Sequence, residues 1–241
     1  MQTQPQNKTL IVALGDSWCA GVGAYESQAL AAHLRGEISA QTLFDLSVDS
    51  FAEHSWPAQL AKLANCDVIN LGVAGGSNLG ASRLLYAVDP KTFDPYTRVI
   101  VIQMITEPAR ISFYSQGQVR NYTPNHSQDS IMHSYLRTVM HDTWDTELEA
   151  VFALNTVNNY CRANGFEFYY ASAFYHLNKK FLAQLALPQQ NFHHNTPYNC
   201  VQTLVQKPQY QSSTGCAHPN QLGYQLIAEH MYTTMHTNNW I

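Results

Sequence analysis

Among the residues capable of covalent chemistry, Ser17 has the most informative surroundings. An apolar, β-branched run opens residues 10–23 (LIVALGDSWCAGVG) and breaks at Gly15-Asp16-Ser17. A buried strand that stops at a glycine presents its next side chains at its carboxyl end, the edge of an open α/β sheet where ligands bind. Ser17 is therefore placed to act as a nucleophile. The plainer alternative is a serine capping the following helix. A hydroxyl needs a base to attack a carbonyl, and His218 offers one: Pro219 keeps it out of helical backbone at the start of the last helical segment. Glycines 72, 75 and 76 follow a second apolar run and add backbone N–H groups of the kind that hold an oxyanion. Serine, histidine and glycine N–H donors are together the parts of acyl transfer.

The elements that must position these residues alternate in type. Strands are expected over 9–14, 67–71, 98–104 and 166–171, the third β-branched enough for burial on both faces. A helix is expected over 28–34, followed by an irregular loop to about residue 54. Ser55-Trp56-Pro57 opens the next helix, with a serine cap, a first-turn proline and Leu60, Leu63 and Ala64 at helical spacing. Another helix is expected over 78–87. Thr146 and Glu149 stand at capping-box spacing before a stripe of Leu148, Val151, Phe152, Leu154, Val157 and Cys161, which Gly165 stops. Pro219 suits the first turn of the last helix, whose apolar face holds Leu222, Leu226, Ile227, His230 and Met231. Strands alternating with helices imply a parallel sheet covered on both sides, and one domain over residues 1–241. Two polar insertions, about 109–143 and 188–213, interrupt it; the aromatics of the first suggest a binding lid or packed surface loop.

At 241 residues and 45% hydrophobic, the chain can bury a full core. Only 12% of residues are charged, against ~25% in ordinary domains, so the surface is polar but largely uncharged. A formal charge of −4 with no Lys/Arg run gives no footprint for nucleic acid or an anionic membrane. No stretch reaches membrane-spanning length, and the start, MQTQPQNK, lacks the form of a signal peptide, so a cytoplasmic location is expected. Five scattered cysteines (19, 66, 161, 200 and 216) without a CxxC suit free thiols in a reducing compartment.

In order and spacing, these blocks resemble the SGNH (GDSL-type) hydrolases. Gly15-Asp16-Ser17 resembles the family's first block, which carries the nucleophile. Ile69-Asn70-Leu71-Gly72-Val73-Ala74-Gly75 is similar to the second, and His218-Pro219-Asn220 with Gly223 to the last. The resemblance spans positions 15 to 223. It implies a three-layer, flavodoxin-like α/β fold and a serine esterase without a cofactor. Ser17 is then the nucleophile, His218 the base, and the N–H groups of Ser17 and Gly75 the oxyanion hole.

Two blocks depart from the family pattern. The third is Gly-x-Asn-Asp in the family, with the asparagine donating to the oxyanion; here the strand runs into Gln103-Met104-Ile105-Thr106-Glu107-Pro108. Asn78 and Thr106 are the leading replacement donors, Gln103 is a further candidate, and Arg110 brings positive charge. The family also places aspartate three residues before the histidine, where this chain has Gly215, which implies a Ser–His dyad. The expected substrate is a carboxylic ester, most readily an O-acetyl group on a carbohydrate, given polar, aromatic-containing loops and no long apolar stretch suited to a lipid tail. The competing reading is a non-catalytic module of the same fold that binds glycan or serves assembly.

Other residues take structural readings. Asp16 fixes the turn, Trp18 and Trp56 fill core, and Cys19 is a small buried hydrophobe. His193-His194 lacks a third ligand at suitable spacing, so no metal is expected. Neither GxxxxGK[ST] nor GxGxxG occurs, which removes the usual phosphate loops.

Overall fold

The computed structural model describes residues 8–107, 110–115, 118–122, 143–174, 191–192, 200–214 and 218–241. The strands are β1 (Thr9–Leu14), β2 (Asp67–Asn70), β3 (Arg98–Ile105), β4 (Ile111–Ser115), β5 (Gln118–Tyr122) and β6 (Glu167–Ser172). The helices are α1 (Ser17–Ala20), α2 (Ser27–Leu34), α3 (Ala40–Leu46), α4 (Val48–His54), α5 (Trp56–Ala64), α6 (Asn78–Ala87), α7 (Thr143–Asn164), α8 (Val201–Leu204) and α9 (Gln221–Thr237).

β2, β1, β3 and β6 form a parallel sheet in that order, with Leu10 opposite both Asp67 and Val99. Its central strands are buried on both sides, so alternate residues feed two cores. Leu10, Val12 and Leu14 of β1 join Val99, Val101, Phe168 and Tyr170 beneath α6 and α7. Ile11 and Ala13 join Ile100, Ile102, Met104 and Ala171 beneath α5 and α9, with Trp18 and Trp56 fully enclosed. A parallel sheet covered on both sides is what the alternating elements predict, and the three-layer, flavodoxin-like arrangement is the one the family resemblance implies. β2 lies on one side of β1 and β3 with β6 on the other, so the chain reverses its direction of winding between β1 and β3. Such a switch point leaves a crevice at the strands' carboxyl ends.

Several sequence expectations change. Residues 40–54 are helical rather than irregular: α3 and α4 meet at Ser47, and Ser39 caps α3 through Thr42 N–H at 3.1 Å. Each helix is seven residues long, and Leu43 and Phe51 are their buried side chains, too few to make a periodic stripe. α7 already runs from Thr143, so Thr146 lies inside it instead of at its cap. Phe152 is 64% exposed and Leu222 57%, so neither belongs to the apolar face assigned to its helix. Asn220, not Pro219, borders α9: its side chain caps Gly223 N–H at 3.0 Å, and Pro219 pairs with Gln211 one residue earlier. The 109–143 insertion contributes an antiparallel hairpin, β4–β5. Its remaining residues, apart from Arg110 and Thr143, lie outside the described residues, as do 188–190 and 193–199 of the second insertion.

Candidate active site

The switch point gathers residues from four parts of the chain. β1 ends at Leu14, and Asp16 caps α1, its Oδ1 accepting from Trp18 N–H at 3.0 Å. That cap turns the backbone so that Ser17 is the first helical residue. Gly21 then ends the helix in the left-handed region, at φ 89°, and donates to Ser17 O at 3.1 Å. A glycine meets that conformation without the steric cost of a Cβ. Ser17 is only 6% exposed, so its hydroxyl sits in a partly dehydrated setting.

His218 arrives from the other end of the sequence. Its Nε2 stands 2.8 Å from Ser17 Oγ. The segment bearing it is held at several points: Ser212 N–H donates to His218 O at 2.9 Å, and Asn220 N–H donates to Tyr210 O at 2.9 Å. The Asn220 side chain donates to Gln209 O at 2.7 Å and Gln211 O at 3.1 Å. Tyr224 of α9 donates its hydroxyl to Val22 O at 2.7 Å, joining the two halves of the site. For His218 Nε2 to accept the serine proton, the ring proton must be on Nδ1.

The loop after β2 lies against the turn after β1. Val73 N–H donates to Gly15 O at 3.1 Å, and Gly76 N–H donates to Val73 O at 2.8 Å. A Cβ at Gly72 would come within 2.5 Å of Ala20 N, so this approach requires glycine. Asn70 ties the two segments together. Its Nδ2 donates to Cys19 O at 2.9 Å and Ser55 Oγ at 3.3 Å, and its Oδ1 accepts from Gly72 N–H at 2.9 Å. Sequence reasoning gave Asn70 no role, although a polar residue ending an otherwise apolar strand beside Gly72 was the available signal.

Asn78, at the start of α6, and Thr106, just beyond β3, are both buried. Asn78 Nδ2 donates to Thr106 O at 3.2 Å, and its Oδ1 accepts from Thr106 N–H at 2.9 Å. The Thr106 hydroxyl donates its single proton to Asp16 Oδ2 at 2.6 Å. Asn78 thus keeps a second amide hydrogen, whereas the Thr106 proton is already engaged. Gln103 is fully buried and donates to Asn78 O at 3.4 Å. Arg110 Nη1 reaches Asp16 Oδ2 at 2.6 Å.

Cys19 is buried beside Asn70 and is not a competing nucleophile. Burial, and secondarily the Asp16 carboxylate, hold its thiol well above the ordinary value, against formation of the reactive thiolate. Cys19, Cys66, Cys161 and Cys200 are free thiols. Gly215, Cys216 and the His193-His194 pair lie outside the described residues. Among the described residues, no group of three or more His, Cys, Asp or Glu is arranged to hold a metal ion, and no helix is long and apolar enough to cross a membrane.

The family model described as GDSL-like Lipase/Acylhydrolase matches residues 11–231. No curated protein matches the chain. Among solved structures, an acetyl xylan esterase from the rumen bacterium Butyrivibrio proteoclasticus aligns with TM-score 0.54 at 11% identity, covering 100% of this chain and 67% of that one. A carbohydrate esterase whose active site displays divergent catalytic and non-catalytic binding functions aligns with TM-score 0.51 at 12% identity, covering 97% and 69%. A G-D-S-L family lipolytic protein from Desulfitobacterium hafniense aligns with TM-score 0.47 at 14% identity, covering 94% and 99%. At these identities the first two alignments establish likeness of fold. With the family model matched over most of its length, the chain belongs to the GDSL-like lipase/acylhydrolase family and is a hydrolase of that type.

Proposed function

We propose that the chain is a serine esterase that removes an O-acyl group, acetyl in particular, from a carbohydrate. The observation that carries this reading is the 2.8 Å contact between Ser17 Oγ and His218 Nε2 at the switch point of the sheet. As Oγ attacks the ester carbonyl, its proton passes to His218 Nε2. The tetrahedral oxyanion is held by the N–H groups of Ser17 and Gly75, with the second Asn78 amide hydrogen as third donor. Collapse expels the sugar oxygen, which takes the proton from Nε2. Water, deprotonated by His218, then attacks the acyl-enzyme and releases the acid together with Ser17.

The substrate class has separate support. A groove of about 250 Å³ opens beside Gly23, where an added Cβ would fall 2.7 Å from His218 Cβ. Tyr25, Leu30 and Leu222 give it apolar surface, while Gln211, Ser212 and Gln221 give it uncharged polar surface. Neutral sugars present the same two kinds of surface, C–H faces and hydroxyl groups. The acetyl xylan esterase and the carbohydrate esterase that share this fold act in the same substrate range.

The test compares wild type with Ser17→Ala and His218→Ala on p-nitrophenyl acetate, and then on acetylated xylan oligosaccharides with acetate release as readout. Both variants are expected to lose at least ~10³-fold in kcat while remaining folded. A folded wild type no faster than the variants on every ester overturns the proposal and leaves a non-catalytic glycan-binding or assembly module as the reading.

A further inference from the structure

The acyl-transfer steps leave a buried ion pair beside the nucleophile unexplained. Asp16, immediately before Ser17, is completely buried. Besides capping α1, it accepts on Oδ2 from the Thr106 hydroxyl and from Arg110 Nη1, both at 2.6 Å. The Arg110 side chain is 14% exposed, and its Nε lies 3.8 Å from Glu107 Oε2. Its guanidinium sits 5.7 Å from the Phe174 ring centre, and Phe174 packs edge-on against Trp18 at 4.7 Å. Arg110 therefore bears on both residues that flank Ser17.

A carboxylate in this position brings two opposed effects. As a cap it fixes the turn that aims Ser17. As a buried negative charge next to the nucleophile, it repels the oxyanion that develops during attack, and that repulsion is strong where water is excluded. The charge already reaches a neighbour, since it helps hold the Cys19 thiol above its ordinary value. Asparagine at position 16 would keep a cap oxygen, but would offer no anion to anchor the end of β3.

We infer that Arg110 is a positioning residue for Ser17, acting by neutralising the Asp16 carboxylate that caps α1 and aims the nucleophile turn. Thr106 supplies the second anchor of the same carboxylate. The inference rests on the reading of Ser17 as nucleophile.

Its test measures the rate of Ser17 labelling by a fluorophosphonate, together with kcat and KM on p-nitrophenyl acetate. The variants are Arg110→Gln, Arg110→Lys and the double variant Asp16→Asn/Arg110→Gln, each checked by thermal melting. Arg110→Gln is expected to lower kcat and labelling about 10²-fold, with KM changed less than threefold. Arg110→Lys, which keeps the charge, recovers part of that loss. The double variant has no unpaired buried carboxylate and is expected to exceed Arg110→Gln at least tenfold. A merely structural arginine would not give that recovery, because the double variant lacks its packing too. If Arg110→Gln does not fold, the double variant decides: labelling within about tenfold of wild type supports the inference, and a slower rate overturns it. Arg110→Gln within threefold of wild type, or a double variant no faster than the single, also overturns it while Ser17 labelling in wild type leaves the esterase reading standing. A wild type that is not labelled at Ser17 overturns both.

Discussion

Gly23→Ala tests how closely His218 is held against Ser17. Gly23 has φ +105°, and a Cβ there would lie 2.5 Å from Pro219 O and 2.7 Å from His218 Cβ. Two carbons attract at about 3.5 Å, so the added methyl is about 0.8 Å too close to His218. Both contacts fall on the segment that carries the imidazole, so that segment must retreat. A retreat of that size stretches the 2.8 Å Ser17–His218 contact past the range of a hydrogen bond. A displacement near 1 Å costs about 10²-fold in rate, so kcat on p-nitrophenyl acetate is expected to fall by about that factor with KM nearly unchanged. The alanine also adopts unfavourable backbone, worth about 1–3 kcal/mol of stability in urea unfolding. Gly36→Ala is the matched control: Gly36 has φ +76° with nothing within 4 Å of its added Cβ. It is expected to lose stability while keeping full activity. A folded Gly23→Ala with kcat within twofold of wild type would refute the reasoning, because the methyl would then fit without moving the base.

Two further perturbations probe the frame and its pH dependence. Asn70→Ala removes donors to Cys19 O and Ser55 Oγ and the acceptor for Gly72 N–H. A loss of about 1–3 kcal/mol in urea unfolding and a lower kcat are expected, since the turn bearing Gly75 loosens; unchanged values in both would remove Asn70 from the frame. On α9, burial lowers the pKa of His230 below its ordinary 6.5. The unfolded chain then takes up that proton first as pH falls. The associated stability is fully present above about pH 6.5 and is lost as pH drops through the lowered value. Melting temperatures from pH 7.5 to 5 are expected to decline less in His230→Gln than in wild type, and identical slopes would count against this origin.

The fold was largely legible because its period was legible. β1 and β3 are apolar runs rich in β-branched residues, and Ser55-Trp56-Pro57 stands where a helix begins. What escaped lacked a local signal. α3 and α4 bury one large side chain each and are closed by the residues around them. Phe152 and Leu222 fit a helical stripe by spacing but face outward, because the packing partner, not the helix, chooses which apolar residues it covers. The Asn220 cap was hidden by Pro219, a more conspicuous helix-start residue.

The sequence by itself determined which residue types were available and in what order: a serine after the first strand, a glycine loop after the second, an altered third block, and a histidine before the last helix. These are local patterns, governed by backbone preference and hydrophobic period. Only the tertiary structure decided their distances and partners. It set 2.8 Å between side chains 201 positions apart, engaged the Thr106 proton with Asp16, left Asn78 a spare hydrogen, and placed Arg110 on the carboxylate beside Ser17. Such facts depend on strand order and on how closely loops approach at glycines. They arise when the sheet closes and two buried faces are filled, and no local stretch of the chain encodes them.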